Sequence, residues 1–326
     1  MPPITSNQIL SGMLEKIYHA DPCETPSLSS SMATTLINAT EEEAMLNSRR
    51  LNPNYNEEDE KSSDAMDLGT IAHDFILRNG QAHKVYEIAP FKDFKSGDAK
   101  TVKANILSRG LIALNETTAE KTLSKVKDMR LALLKQTQEH DEWPMLMHKG
   151  KGELSAFAYD EKLGIWLRAR LDWSDDDLRY QDVIVDYKTT SSTFDKWERD
   201  LWNDDKHLQE VHYRKVMSIL TGKPFRFIWV VQRTVAPYQI RIIKIDESLR
   251  EEVDETYLMA SKRFANCLKT GKWRGQVPKT FHTYPPKYIL DKWELRKLNL
   301  EIQEKEEADK AKAPAAQMPD DITIAG

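Results

Sequence analysis

The stretch "IVDYKTTSS", residues 184–192, sets an aspartate and a lysine two positions apart, Asp186 and Lys188, inside an apolar run. Residues i and i+2 of a strand share a face, so both charged heads meet the same surroundings while Val185 and Tyr187 point the other way. Taken alone, such a pair is commonly an ion pair on the solvated side of a half-buried strand, and it contributes little. Its neighbours change the reading. Upstream, "GELSAFAY" (152–159) and "GIWLRARLDW" (164–173) carry strand patterns, and the linkers "DEKL" and "SDDDLRYQ" are short and polar. An antiparallel meander is therefore the simplest topology for 152–190. In the middle strand Ile165, Leu167, Ala169 and Leu171 alternate with Trp166, Arg168, Arg170 and Asp172. Pairing with 182–190 brings Asp172 and Asp186 onto neighbouring strands, close enough to share a cation. Carboxylates around an open position suit Mg²⁺ or Mn²⁺, which keep waters and bind phosphate oxygens. A lysine beside them can orient or help deprotonate an attacking water, or offset charge on a transferring phosphate.

Around this core the chain reads as mixed α/β. "DLGTIAHDFIL" (67–77) repeats Leu68, Ile71, Ala72, Phe75 and Ile76 at helical spacing, which predicts a buried helix. Residues 97–140 read as mostly helical, with Ile106, Leu107, Leu111, Ile112 and Leu114 and then Leu123, Val126, Met129 and Leu133 on repeating faces. One helix is expected from about Trp197 to Leu220, stopped by Gly222 and Pro224. The strands "FRFIWVVQR" and "YQIRIIKI" and a helix over 246–270 follow. Near the start, "SLSSSMATTLI" offers Ser29 or Ser30 as a helix cap. Residues 41–67 form an acidic loop candidate, and the last residues, "APAAQMPDDITIAG", read as a disordered tail.

With 326 residues, the chain can hold one domain of roughly 250 residues plus extensions, or two smaller ones. No apolar run approaches the ~18 residues of a membrane span, and "MPPITSNQIL" lacks a signal-peptide layout, so a cytoplasmic protein with no membrane partner is expected. Two cysteines, Cys23 and Cys267, exclude a four-cysteine zinc or iron–sulfur site built from this chain alone. The net charge of −5 is unevenly spread. Between 41 and 67 nine acids face three basic residues. From Thr256 to Leu290 there is no acid, while Lys262, Arg263, Lys269, Lys272 and Arg274 alternate with rings such as Tyr257, Phe264 and Trp273. Such a stretch can follow a phosphate backbone, or it can be an ordinary basic helix face followed by a packed aromatic loop.

"RLDW…IVDYKTT" resembles the metal-binding core of the PD-(D/E)xK nuclease superfamily. With "GTIAH" (Gly69, His73) before it and "QEVHY" (Gln209, Tyr213) after it, the order is similar to that of the branch holding the RecB nuclease domain and phage RecE-type exonucleases. "YHADPCETPSLSSSMATTLI", "MDLGTIAHDFIL" and "HLQEVHYRKVMSILTGKPFRFIWVVQRTVAPYQI" look most like the RecE-like, exonuclease VIII group, over about Tyr18 to Trp273. Leu171 stands where the superfamily's name has proline. The resemblance implies a restriction-endonuclease-like fold, a mixed, mainly antiparallel sheet flanked by helices. It makes Asp172, Asp186, Lys188, Gln209 and Tyr213 catalytic, and His73, Asp172, Asp186 and the Tyr187 carbonyl metal-binding, with Glu153 as an additional acid. DNA contacts are expected from Arg170, Thr189, Thr190, Arg214, Lys262, Arg263, Lys269, Lys272 and Arg274.

The expected organisation is an extension (1–17), a nuclease domain (18–298) holding the acidic loop, and a charged helix with its tail (299–326). The function implied is a Mg²⁺-dependent exodeoxyribonuclease, Mn²⁺ being an alternative ion, with no iron–sulfur cluster. It would act at double-stranded DNA ends, digest one strand 5′ to 3′ and leave 3′ overhangs for a RecT-like single-strand annealing protein. The resemblance further implies a homo-oligomeric ring and a phage or prophage origin in a bacterial host. Two rivals remain: an endonuclease on the same core, which would cut closed circles, and a catalytically silent DNA-binding protein, which would not depend on Asp186.

Overall fold

The computed structural model describes residues 2–56, 64–78, 85–175, 179–280 and 282–312. The chain divides into two units, one ending at Gln276 and one starting at Val277. The second carries a single described helix, Lys287–Lys312. The charged helix expected from 299 therefore begins earlier, and the tail beyond 312 lies outside the described residues.

The first unit is built on a sheet in the order β1 (Gln8–Ser11), β5 (Lys151–Asp160), β6 (Ile165–Ser174), β7 (Val183–Thr190), β8 (Arg226–Arg233) and β9 (Ile240–Ile243). A two-residue strand, β2 (Ser27–Leu28), pairs in parallel with β6. All the pairings on the main path are antiparallel except β7 with β8, which is parallel. The fold is thus the mixed, mainly antiparallel sheet that the resemblance implies. Residues 1–17, expected as an extension, supply the edge strand β1.

Both faces of β7 are covered, which explains its long apolar run. On one face Ile184 packs with Leu167, Ala169, Phe227 and Trp229 beneath α2 (Ser30–Asn38), α8 (Leu208–Thr221) and α9 (Arg250–Thr270). On the other, Val183, Val185 and Tyr187 pack with Ile228 and Val230 beneath α4 (Asp64–Leu77) and α6 (Glu116–Gln138). Burying each such side chain contributes about 1.5–3 kcal/mol, so strand register is fixed firmly.

Three local expectations are corrected. The single helix over 197–220 is two, α7 (Phe194–Asn203) and α8, because Asp204 closes α7 and Asp205 takes a left-handed conformation (φ 49°) that aspartate tolerates. Ile112 and Leu114, read as helical, lie in strand β4 (Ile112–Asn115), paired in parallel with β3 (Tyr86–Ala89). Gly110 (φ 72°) follows α5 (Gly97–Ser108), and Asn115 caps α6, leaving four residues extended between two helices. The acidic segment is not simply a loop. It opens with α3 (Glu41–Leu46), whose start is a capping box of Thr40 and Glu43. It closes inside α4, while 57–63 lie outside the described residues.

Glu41 pairs with Arg263 (3.6 Å) and accepts from the Arg274 N–H (3.2 Å), while the Glu42 N–H donates to the Arg274 carbonyl (3.2 Å). The acidic helix is therefore docked on the C-terminal end of α9. No helix among the described residues is long and apolar enough to cross a membrane.

Candidate active site

β6 and β7 meet at the pair Trp173–Val185, so the next positions, Asp172 and Asp186, stand opposite one another where the two strands stop pairing. Asp186 is fully buried and Asp172 is 7% exposed. Asp186 Oδ1 accepts from Gln209 Nε2 on α8 (2.8 Å), and its Oδ2 lies 2.6 Å from Lys188 Nζ without receiving an aligned hydrogen bond. Asp172 Oδ2 accepts from the Tyr187 N–H (2.8 Å) and stands 3.0 Å from His73 Nε2 on α4. His73 Nδ1 faces Glu153 Oε1 on β5 (3.1 Å), and the other Glu153 oxygen pairs closely with Arg170. The charges form one chain from Arg170 through Glu153 and His73 to Asp172.

Glycines let the elements come this close. A Cβ at Gly69 would stand 3.2 Å from Thr189 Oγ1, so α4 lies tight on the end of β7. At Gly152 it would meet the Leu77 carbonyl at 2.7 Å, which allows β5 to pass under the C-terminus of α4. The next residue, Glu153, has a left-handed backbone (φ 65°), which costs a non-glycine residue about 1 kcal/mol.

The two aspartates are not equivalent. Burial pushes Asp186 up to about 6, with Asp172 adding to the effect and Lys188 opposing it. Burial also pushes Asp172 upward, but the His73 and Lys188 charges and the Tyr187 N–H outweigh it and leave the group below its ordinary value. His73 is opposed by burial yet raised by Asp172. With one carboxylate oxygen 3.1 Å from Nδ1 and another 3.0 Å from Nε2, the ring bridges two acids. Lys188 is opposed by burial and raised by Asp186 and then Asp172.

Among the described residues no three His, Cys, Asp or Glu side chains converge as a ready metal cage. The donors fit an ion that keeps most of its water: two acids and a carbonyl on adjoining strands, with one buried carboxylate oxygen unbonded. Asp172, Asp186 and the Tyr187 carbonyl would hold such an ion. His73, also expected as a ligand, has Nε2 3.0 Å from Asp172 Oδ2, beside the same position.

A cavity of about 680 Å³ opens over this cluster. Of the expected site residues it is lined by His73, Glu153, Arg170, Asp172, Asp186, Tyr187, Lys188, Thr189, Gln209 and Tyr213. Burial raises the Tyr213 phenol far above its ordinary value, so it is a neutral hydrogen-bonding group. Thr190, Arg214, Lys262, Arg263, Lys269, Lys272 and Arg274 do not line it. Arg214 is held by Glu210 (2.9 Å) and Asp254 (2.8 Å), and Arg263 is held by Glu41 and the Leu36 carbonyl. Lys262, Lys269 and Lys272 are exposed on α9 and just beyond it.

The cavity also takes in Tyr18, Ser29, Ser30, Ser31 and Arg168, which the residue-by-residue expectation left out. A signal was present: Arg168 alternates with Arg170 and Asp172, and the tyrosine and serines belong to the "YHAD…LSSS" stretch. Behind the sheet, the Tyr187 hydroxyl donates to Gln232 Oε1 (2.7 Å), and Gln232 Nε2 donates to the Met129 carbonyl (2.8 Å) and the Tyr238 carbonyl (3.1 Å). This buried polar strut ties the back of β7 to α6.

No curated protein matches the chain. Among solved structures it is similar to a protein from Eubacterium rectale described as a "Putative exonuclease", with 15% identity, a TM-score of 0.47, and coverage of 79% of this chain and 91% of that one. Residues 29–279, most of the sequence and the whole of the cluster above, match the family described as "PDDEXK-like domain of unknown function (DUF3799)". This chain belongs to that PDDEXK-like family, and so to the PD-(D/E)xK nucleases.

Proposed function

We propose that the chain is a Mg²⁺-dependent exodeoxyribonuclease that degrades one strand of linear double-stranded DNA from 5′ to 3′, leaving 3′ single-stranded overhangs. The observation that carries the reading is the Lys188 ammonium 2.6 Å from the unbonded Oδ2 of buried Asp186, at a cavity shared with Asp172. PD-(D/E)xK nucleases generally use divalent metals, and a bound ion supplies a polarised phosphate and an acidified water. Asp172, Asp186 and the Tyr187 carbonyl would hold the ion, with His73 as a further ligand. Lys188 orients the attacking water and offsets charge on the phosphate. Gln209 and Tyr213, one turn apart on α8, hold the phosphate or strand next to the metal, and Arg170 and Thr189 line its approach. His73 and Glu153 set the position and charge of Asp172.

The acting end and polarity rest on the resemblance to the RecE-like group. So do a homo-oligomeric ring around DNA, delivery of the overhang to a RecT-like annealing protein, and a place in phage-type recombination. The exposed Lys262, Lys269 and Lys272 offer phosphate contacts outside the cavity.

Digestion of linear and covalently closed duplex with and without Mg²⁺, using 5′ and 3′ end labels beside Asp186→Ala, tests the reading. The expected result is Mg²⁺-dependent loss of linear DNA from 5′ ends, abolished by the substitution. Cutting of the circle would make the enzyme an endonuclease, and DNA binding without Asp186-dependent cutting would leave a binding protein.

A further inference from the structure

A second cavity of about 370 Å³ shares Glu15, His19, Ser29, Ser31 and Arg168 with the catalytic one. Its far side is formed by residues after α3, among them Asn47, Arg49 and Tyr55. The two cavities are thus adjoining rooms with a common wall. Their common floor has an unfinished polar group. Arg168 is 7% exposed, and its Nη1 is used by the Ser27 carbonyl (2.8 Å), Ser27 Oγ (2.7 Å) and Asp21 (3.1 Å). Its Nε is buried and has no partner. Beside it lies the N-terminus of α2, whose cap Ser29 accepts from the Met32 N–H (3.3 Å) and exchanges a hydrogen bond with Ser31 (3.1 Å). The other end of the second cavity offers a different chemistry: the Arg49 guanidinium lies over the Tyr55 ring, 5.6 Å from its centroid.

Hydrogen-bond donors for an anion at one end and an aromatic ring topped by a guanidinium at the other match the two ends of a nucleotide. The volume lies at the lower end of the ~300–1,000 Å³ typical of small-ligand sites, which suits a single base with its sugar. Stacking on a ring tolerates any base, as a nuclease without sequence preference requires. We propose that the second cavity is a nucleoside subsite: it holds the base next to the scissile phosphate on the same DNA strand, stacked on Tyr55, with the intervening phosphate at the Ser29, Ser31 and Arg168 wall. This deepens the nuclease reading and rests on it.

The test uses the full-length Asp186→Asn protein, expected to hold DNA uncut, and duplexes carrying 2-aminopurine at successive positions from each end. Fluorescence anisotropy reports binding and 2-aminopurine quenching reports stacking. Quenching is expected at one position, lost in Asp186→Asn/Tyr55→Leu and kept in Asp186→Asn/Tyr55→Phe, with affinity lowered roughly tenfold by the leucine. Arg49→Met in the same background is a second probe, expected to weaken quenching at that position. Binding with no position whose quenching depends on Tyr55 or Arg49 would overturn the subsite and leave the nuclease standing. No binding, together with no cutting by the unsubstituted protein, would overturn the nuclease reading and the subsite with it.

Discussion

Of the buried aspartates that face arginine or lysine, Asp21 and Asp186 are treated oppositely. Asp21 is 4% exposed, and its carboxylate accepts from the Ser27 N–H and Ser27 Oγ (2.7 Å each), with Arg168 at 3.1 Å. Every strong partner it needs is supplied by the chain. Asp186 is more deeply buried, yet one oxygen lacks an aligned donor, a second carboxylate stands on the adjoining strand, and its pKa is driven up to about 6. The first arrangement closes a loop onto the sheet. The second leaves an anionic site unfinished, which is what a cation would complete.

The sharpest way to break this contrast is substitution at both positions. Asp186→Asn is expected to lower hydrolysis by a factor on the order of a thousand or more, since it removes a carboxylate that would hold the metal ion beside the reacting phosphate. The same change is expected to stabilise the fold at pH 7 by about 3 kcal/mol, because the folded protein no longer holds a carboxylate whose pKa is raised from 3.8 to about 6. Asp21→Ala should do the reverse to stability, costing about 3–5 kcal/mol by leaving the Arg168 guanidinium buried without its acid. Urea unfolding of both variants measures this. Loss of stability in Asp186→Asn would end the idea that the site is built at the expense of the fold.

Acid sharpens the comparison further. His212 is fully buried, donates through Nε2 to the Arg168 carbonyl (2.8 Å) and accepts at Nδ1 from the Tyr257 hydroxyl (2.8 Å). Burial pushes it down to about 4 from 6.5. Below pH 6.5 the unfolded chain takes a proton that the folded one refuses, so stability falls toward pH 4 by up to about 3 kcal/mol. Asp186 acts in the opposite sense, since the folded carboxyl takes its proton near pH 6 and the unfolded one only near 3.8. The two effects offset one another in the unsubstituted protein. Asp186→Asn removes the compensation, so its stability should fall more steeply between pH 7 and 4.5. Parallel pH profiles would show that Asp186 is not protonated in this range.

The smallest expected effect concerns Glu153. Because its backbone is left-handed, Glu153→Gly should be more stable than Glu153→Ala by about 1 kcal/mol, although both lose the same contacts to His73 and Arg170. Thermal melting of the pair decides it, and equal melting points would mean the backbone relaxes freely.

The sequence carried the site better than it carried the fold around it. Asp172, Asp186 and Lys188 were legible because a strand with both faces covered has no ordinary use for charge, and because period-two alternation set Arg168, Arg170 and Asp172 together. Gly69 and His73 were legible by spacing, and the close approach to Thr189 now gives the glycine a cause. Asp205 hid the break between α7 and α8, since one left-handed aspartate ends a helix without the glycine that usually marks the place. Ile112 and Leu114 hid β4, because four extended residues between two helices are too few to show a period. The serines at the start of α2 were overlooked because they are brought beside β6 only by β2, whose two residues join the sheet in parallel.

The strut behind β7 bears on how the active form is chosen during folding. A slip of one residue between β7 and its neighbours would turn Asp186 and Lys188 to the opposite face and give a compact but dead enzyme. The same slip would carry the Tyr187 hydroxyl away from Gln232 and strand both polar groups in apolar surroundings, at about 1–3 kcal/mol each. Chains with the wrong register are thereby penalised before they meet any substrate, so a hydrogen bond on the dry side of the sheet acts as quality control for the wet side.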